Sequence, residues 1–257
     1  MSDRYLEGKH AVVTGAGTGI GAAVAMELAR LGANITLMGR RRAPLEGRAS
    51  AVARAHMVKT VVATCDVGEE ESVAEAFRIA RDAFGWPDIM VNNAGRGEAA
   101  PVQDTTREMW DRMITVNLTG PWLCIKQVLP GMLADGWGRI ITVASVAGIR
   151  GVPRASAYTA SKHGVVGLTR AVALEVAKKG ITVNAVCPGY TATDLADIAV
   201  KNLMEGGKSE QDARNILART IPRGSLVTPD EVANAVAWLC SAAAGAVTGQ
   251  AIAVGGE

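Results

Sequence analysis

No charge of one sign dominates this chain. Its 27 Lys and Arg stand against 25 Asp and Glu, a formal net of +2. That balance argues against a nucleic-acid partner, which asks for a clustered basic face. Cysteine is scarce: Cys65, Cys124, Cys187 and Cys240 are widely spaced and make no CxxC pair. They read as small buried hydrophobes in a reducing compartment rather than as bridges. His10, His56 and His163 stand apart from the cysteines, which argues against a zinc site, so no metal is expected. The opening MSDRYLEGKH lacks the apolar stretch of a secretory signal. Long hydrophobic runs are also missing. The most apolar late stretch, 232–247, is interrupted by Asn234 and Gly245. It reads as a buried helix, short of the roughly 20 apolar residues a membrane span needs. No repeat, low-complexity tract or linker occurs. The expectation is a soluble cytoplasmic protein with neither nucleic-acid nor membrane partner.

What is there is a chain of 257 residues, 49% hydrophobic, enough for one sizeable core. Short β-branched runs at 10–14, 34–38, 60–64, 89–92, 139–144, 182–186 and 251–254 alternate with helix-period segments at 20–31, 69–84, 105–134, 156–179 and 229–242. Several strands are apolar at consecutive positions, as strands covered on both faces must be. The alternation predicts a single-domain α/β Rossmann fold over 1–257, a seven-stranded parallel doubly wound sheet with helices on both faces. One stretch, 190–226, breaks the rhythm with Gly206, Gly207 and Pro222. A long insertion at the carboxyl end of a strand reads as a substrate lid, the alternative being a solvated excursion.

The first strand runs directly into Gly15-Ala16-Gly17-Thr18-Gly19-Ile20-Gly21 and then a helix. Glycines here allow a tight turn and close approach of backbone to a pyrophosphate held at the helix N-terminus. The spacing is TGxxxGxG, not GxGxxG, and its place at the first strand–helix junction gives it weight. Gly15, Thr18, Gly19, Ile20 and Gly21 are the expected contacts. An NAD site would put a carboxylate at the end of the second strand, yet Gly39-Arg40-Arg41-Arg42 stands there. Guanidiniums suit a 2′-phosphate, so NADP is expected with Arg40 as the main contact and Arg41 and Arg42 facing water. NAD, with the arginines a solvated loop, is the alternative.

Tyr158 and Lys162 lie four apart in a helical segment and share a face. A nearby ammonium favours phenolate, which would bring the tyrosine towards working range as an acid–base group. Ser145 follows the fifth strand at the carboxyl edge, where ligands bind in this architecture, and can donate to a substrate oxygen. Singly, each has a plain structural reading: a loop cap, a buried tyrosine, a surface charge.

Taken together, these motifs, with Asp66-Val67, Asn92-Asn93-Ala94-Gly95, Asn117 and Pro188-Gly189 in order, resemble the short-chain dehydrogenase/reductase family over nearly the whole chain. The resemblance implies hydride exchange between a nicotinamide cofactor and a carbonyl or alcohol. It assigns Asn117, Ser145, Tyr158 and Lys162 to catalysis, with Asn117 anchoring a relay water, and Ser145 and Tyr158 to the substrate. It assigns Asp66 and Val67 to the adenine, Asn93 to the cofactor ribose region, Lys162 to the nicotinamide ribose and Thr191 to the nicotinamide side. SKHGVVGLT from Ser161 and ITVNAVCPG from Ile181 look like the branch of polyketide ketoreductases, 3-oxoacyl reductases and 3-hydroxyacyl dehydrogenases. Arg150 and Arg154, between Ser145 and Tyr158, could meet a thioester carrier's phosphates. Leu195, Ile198 and Leu203 give the lid an apolar side. An NAD-dependent secondary-alcohol or polyol dehydrogenase and a cofactor-binding regulator without turnover are the rivals. The segment 156–179 is apolar nearly all round, so a homo-oligomer, a tetramer by resemblance, is expected unless a neighbouring helix of the same chain does the covering.

Overall fold

Each strand of the sheet sends alternate side chains to opposite faces, and here both faces are apolar. In β1 (His10–Thr14), Val13 enters one core with Ala11, while Val12 enters the other. The computed structural model describes residues 4–193, 200–201, 203–204 and 206–256. Six further strands follow: β2 (Asn34–Gly39), β3 (Thr60–Thr64), β4 (Ile89–Asn92), β5 (Gly138–Val143), β6 (Ile181–Pro188) and β7 (Ala251–Val254). They form one seven-stranded parallel sheet of order β3-β2-β1-β4-β5-β6-β7. The chain reverses its direction of travel between β1 and β4, which opens a crevice at the carboxyl ends of those strands.

The helices α1 (Gly19–Arg30), α2 (Arg42–His56) and α8 (Pro229–Cys240) cover one face. The opposite face carries α3 (Glu70–Phe84), α5 (Gly120–Asp135) and α6 (Ser156–Val176). The expected doubly wound α/β sheet is therefore the one observed. Two departures matter. The hydrophobic pattern leaves out α2, because only Leu45, Ala49 and Val52 of its residues are buried. The expected long helix over 105–134 is instead α4 (Arg107–Ile114), a π-helical turn over Thr115–Thr119, and α5. Such a turn carries an extra residue and is often found at functional sites. It turns Asn117 into the protein, where the residue is 1% exposed.

Beyond β6 the chain makes its excursion. Its base is tied by Val227 N–H to Tyr190 O and Ala192 N–H to Val227 O. Within it, α7 (Glu210–Arg219) packs Ala213 and Leu217 against Val200, a small core separate from the main ones, with Tyr190, Leu203 and Leu226 at its margin. Leu195 and Ile198 lie outside the described residues.

Candidate active site

The site begins with the turn after β1. Gly15 and Gly19 have φ of +65° and +55°, backbone that glycine adopts without strain. A Cβ on Gly21 would sit 2.3 Å from Gly15 O, so α1 can approach the turn this closely only because Gly21 has no side chain. Thr18 is the N-cap of α1, yet its side chain caps nothing. The first-turn amides are therefore not consumed by a cap and suit an anion at the positive end of the helix. Asn93 braces this turn: its Nδ2 donates to Thr14 O at 2.9 Å, and its backbone N–H donates to Thr14 Oγ1 at 3.0 Å.

From here a cleft of about 970 Å³ runs across the strand ends. Of the sequence-predicted residues it brings together Gly15, Thr18, Gly19, Ile20, Arg40, Asp66, Val67, Asn93, Ser145, Tyr158, Lys162 and Thr191. Gly21 and Asn117 stand behind its wall. Arg40 directly follows β2, at the same end of the cleft as Pro44 and Leu45, and no carboxylate pairs with it among the described residues. Arg41, expected to face water, also lines the cleft, because it is the N-cap from which α2 starts. Arg42 does turn outward, paired with Glu46 at 2.7 Å. Asp66 holds its own loop by accepting from Gly68 N–H, and Thr191 Oγ1 donates to Gly189 O. A glycine cradle, an uncapped helix start and two unpaired guanidiniums fit a dinucleotide carrying an extra phosphate.

At the other end, Ser145 follows β5. Its Oγ accepts from Ala147 N–H at 3.1 Å, which caps a short 3₁₀ turn and leaves the hydroxyl proton free to point elsewhere. Lys162, 5% exposed, donates to Val143 O at 3.0 Å, and its Nζ lies 5.7 Å from the Tyr158 ring centre. Burial lowers the lysine from 10.5 to about 8. Burial also pushes the Tyr158 phenol above its ordinary 10, and a hydrogen bond with Ser145 only partly opposes this. Burial thus favours the protonated phenol, against the expectation that Lys162 brings it down.

The hydrogen bonds of Asn117 go to neither the Tyr158 nor the Lys162 side chain. Its Oδ1 accepts from Arg96 N–H at 2.9 Å and its Nδ2 donates to Arg96 O at 2.9 Å and to Ser161 Oγ at 3.0 Å. Ser161 in turn donates to Tyr158 O at 2.7 Å. Asn117 therefore grips the backbone of the 96–99 loop, which forms a wall of the cleft that no motif marks. Its signal is weak because the grip is on the main chain. Arg154 stays outside the cleft lining, with φ of +61°, and its carbonyl accepts from Ala100 N–H. The four cysteines are all buried. No group of three or more candidate metal ligands occurs among the described residues, and no described helix is long and apolar enough to cross a membrane.

Comparison with known proteins agrees with this geometry. The family profile described as enoyl-(acyl carrier protein) reductase matches residues 15–256. D-beta-hydroxybutyrate dehydrogenase of Cupriavidus necator is 39% identical, covering 95% of each chain. Cis-4-hydroxycyclohexanecarboxylate dehydrogenase of Sinomonas cyclohexanicum is 42% identical over 100% of this chain and 98% of its own. The crystal structure of an actinorhodin polyketide ketoreductase variant with NADPH superposes with a TM-score of 0.91 at 38% identity, over 96% of this chain and 95% of that one. The chain belongs to the short-chain dehydrogenase/reductase family. It is an NAD(P)-dependent oxidoreductase of carbonyls and alcohols.

Proposed function

We propose that this protein reduces a ketone, a 3-oxoacyl thioester or a related oxo compound, with NADP(H). The observation that carries the reading is a cleft with a 2′-phosphate-ready end, Arg40 and Arg41, and a protonated phenol, Tyr158, at the other. When bound, the nicotinamide supplies the hydride. Tyr158 gives its Oη proton to the carbonyl oxygen as negative charge develops there. Ser145 donates a hydrogen bond to that same oxygen, its own lone pair being held by Ala147 N–H. Lys162, fixed on Val143 O, keeps a cation beneath the cleft floor for the ribose and the phenol. Asn117 holds the 96–99 wall and, through Ser161, the helix turn bearing Tyr158.

Asp66 and Val67 are assigned to the adenine, Asn93 to the ribose region and Thr191 to the nicotinamide side, all on the cleft lining. The whole chain acts as one domain with the 190–226 excursion as lid, supported by the single sheet and the excursion's own small core. A reducing, cytoplasmic setting suits four buried cysteines, and family likeness makes the protein a homo-oligomer, a tetramer. The cofactor reading is tested by Arg40→Ala. The NADPH Michaelis constant should rise more than that for NADH, with a loss of ~1.5–3 kcal/mol, the range of a charge-assisted hydrogen bond. A wild type preferring NADH, or equal weakening of both, defeats it.

A further inference from the structure

Three cations line the substrate half of the cleft: Arg96, Lys162 and Arg150. Their surroundings differ. Lys162 is buried and spends a proton on Val143 O. Arg96 is bonded to Glu98 at 2.6 Å, and the same carboxylate, 19% exposed, also takes Arg112 at 3.0 Å. Glu98 thus answers the Arg96 charge and fastens the 96–99 wall to α4. Arg150 has no such partner. Among the described residues no carboxylate lies within ion-pair distance of it, although it lines the cleft. Its backbone is fixed, since Arg150 N–H donates to Val146 O at 3.0 Å at the end of the 3₁₀ turn that Ser145 caps. The side chain that donates to the reacting oxygen and the unpaired guanidinium therefore spring from one short, rigid turn.

Arg150 is an exposed residue on the cleft lining, and its guanidinium is a group suited to forked recognition of a carboxylate or phosphate. Resting on the reductase reading, we infer that the substrate carries an anionic group remote from its carbonyl, and that Arg150 receives it. The anion is either a carboxylate on the substrate itself or a phosphate on the carrier of an acyl thioester. Arg154, the neighbouring exposed arginine, takes no part, because its strained turn puts it off the cleft wall.

The test compares kcat/KM for an oxo acid and its methyl ester, and for a coenzyme A thioester against the phosphate-free N-acetylcysteamine thioester. Each pair is run with wild type, Arg150→Gln and Arg154→Gln. Wild type should prefer the anionic member of at least one pair about ten-fold or more. Arg150→Gln should erase that preference chiefly through KM, while Arg154→Gln keeps it. Preference for the acid names the carboxylate as the source, and preference for the coenzyme A thioester names the phosphate. No preference in wild type, or one that survives Arg150→Gln, overturns the inference. A wild type that turns over none of these compounds removes the reductase reading instead. Calorimetric titration of acid and ester onto wild type and Arg150→Gln then decides the arginine's role alone: weaker acid binding in the variant supports it, equal binding overturns it.

Discussion

Burial sets the protonation of the reactive pair. The Tyr158 phenol lies above its ordinary 10 and the Lys162 ammonium has come down to about 8, each because water has been taken from its charged form. A phenol that keeps its proton at neutral pH suits reduction, where it must give one up. Reduction should therefore be nearly flat in rate across about pH 6–7 and fall as Lys162 loses its proton at about 8, whereas oxidation, which needs the phenolate, should climb with pH. Initial rates in both directions across a pH series decide this, and oxidation that peaks at neutral pH would contradict it. The lysine makes a stability statement too. Between about 8 and 10.5 the unfolded chain binds a proton at Lys162 that the folded chain has lost, so stability rises with pH through that window and is penalised below it. Lys162→Met should thus be the more stable protein at pH 7, by roughly 1–3 kcal/mol, with the difference shrinking towards pH 10. Denaturant unfolding of both proteins at the two pH values measures it. The direction of the tyrosine shift was not legible in the sequence, because a spacing of four residues shows proximity but not desolvation.

A continuous helix over 105–134 would leave Asn117 on a regular helical face; the π turn over Thr115–Thr119 lets its amide reach Arg96 on both N–H and C=O. Asn117→Ala strands both backbone groups, at a cost of ~1–3 kcal/mol. The melting temperature should fall by ~2–4 °C for each of those kcal/mol. The 96–99 loop should exchange its amide hydrogens faster, and turnover should fall with it. Unchanged exchange in that loop would show that the grip is not what orders it. The sequence named Asn117 through family likeness, but apolar periodicity runs through a π turn almost as through an α-helix, so the interruption stayed hidden. The helix α2 was missed for the opposite reason, a polar segment with only Leu45, Ala49 and Val52 turned inward. Strands were more legible. Residues such as Val12 and Val13 go to opposite cores, and only a sheet covered on both faces wants that pattern.

The whole molecule leaves part of α6 uncovered. The sheet buries Val165, Val172 and Val176, and Leu118 of the π turn covers Gly164, where a Cβ would lie 2.8 Å away. A neighbouring segment of the same chain therefore does cover one flank. His163, Gly167, Arg170 and Ala171 remain exposed in a stripe ending at Leu174, which is 81% exposed. A second copy is the natural cover, and light scattering at micromolar concentration should give a mass that is a multiple of 26.7 kDa. A clean monomer would defeat the oligomer. At this same scale the site is assembled, since the glycine turn, Arg40, Ser145 and Tyr158 come from four different strand ends or helices and meet only in the folded sheet. We propose that this assembly reduces a ketone with Tyr158 as proton donor. NADPH consumption by wild type and Tyr158→Phe over a panel of oxoacyl thioesters and cyclic ketones, with NADPH binding titrated in parallel, tests it most directly. Wild type should turn over at least one member. The variant should bind NADPH with unchanged affinity and lose at least ~10²-fold in turnover. Near-normal turnover by Tyr158→Phe would contradict the account.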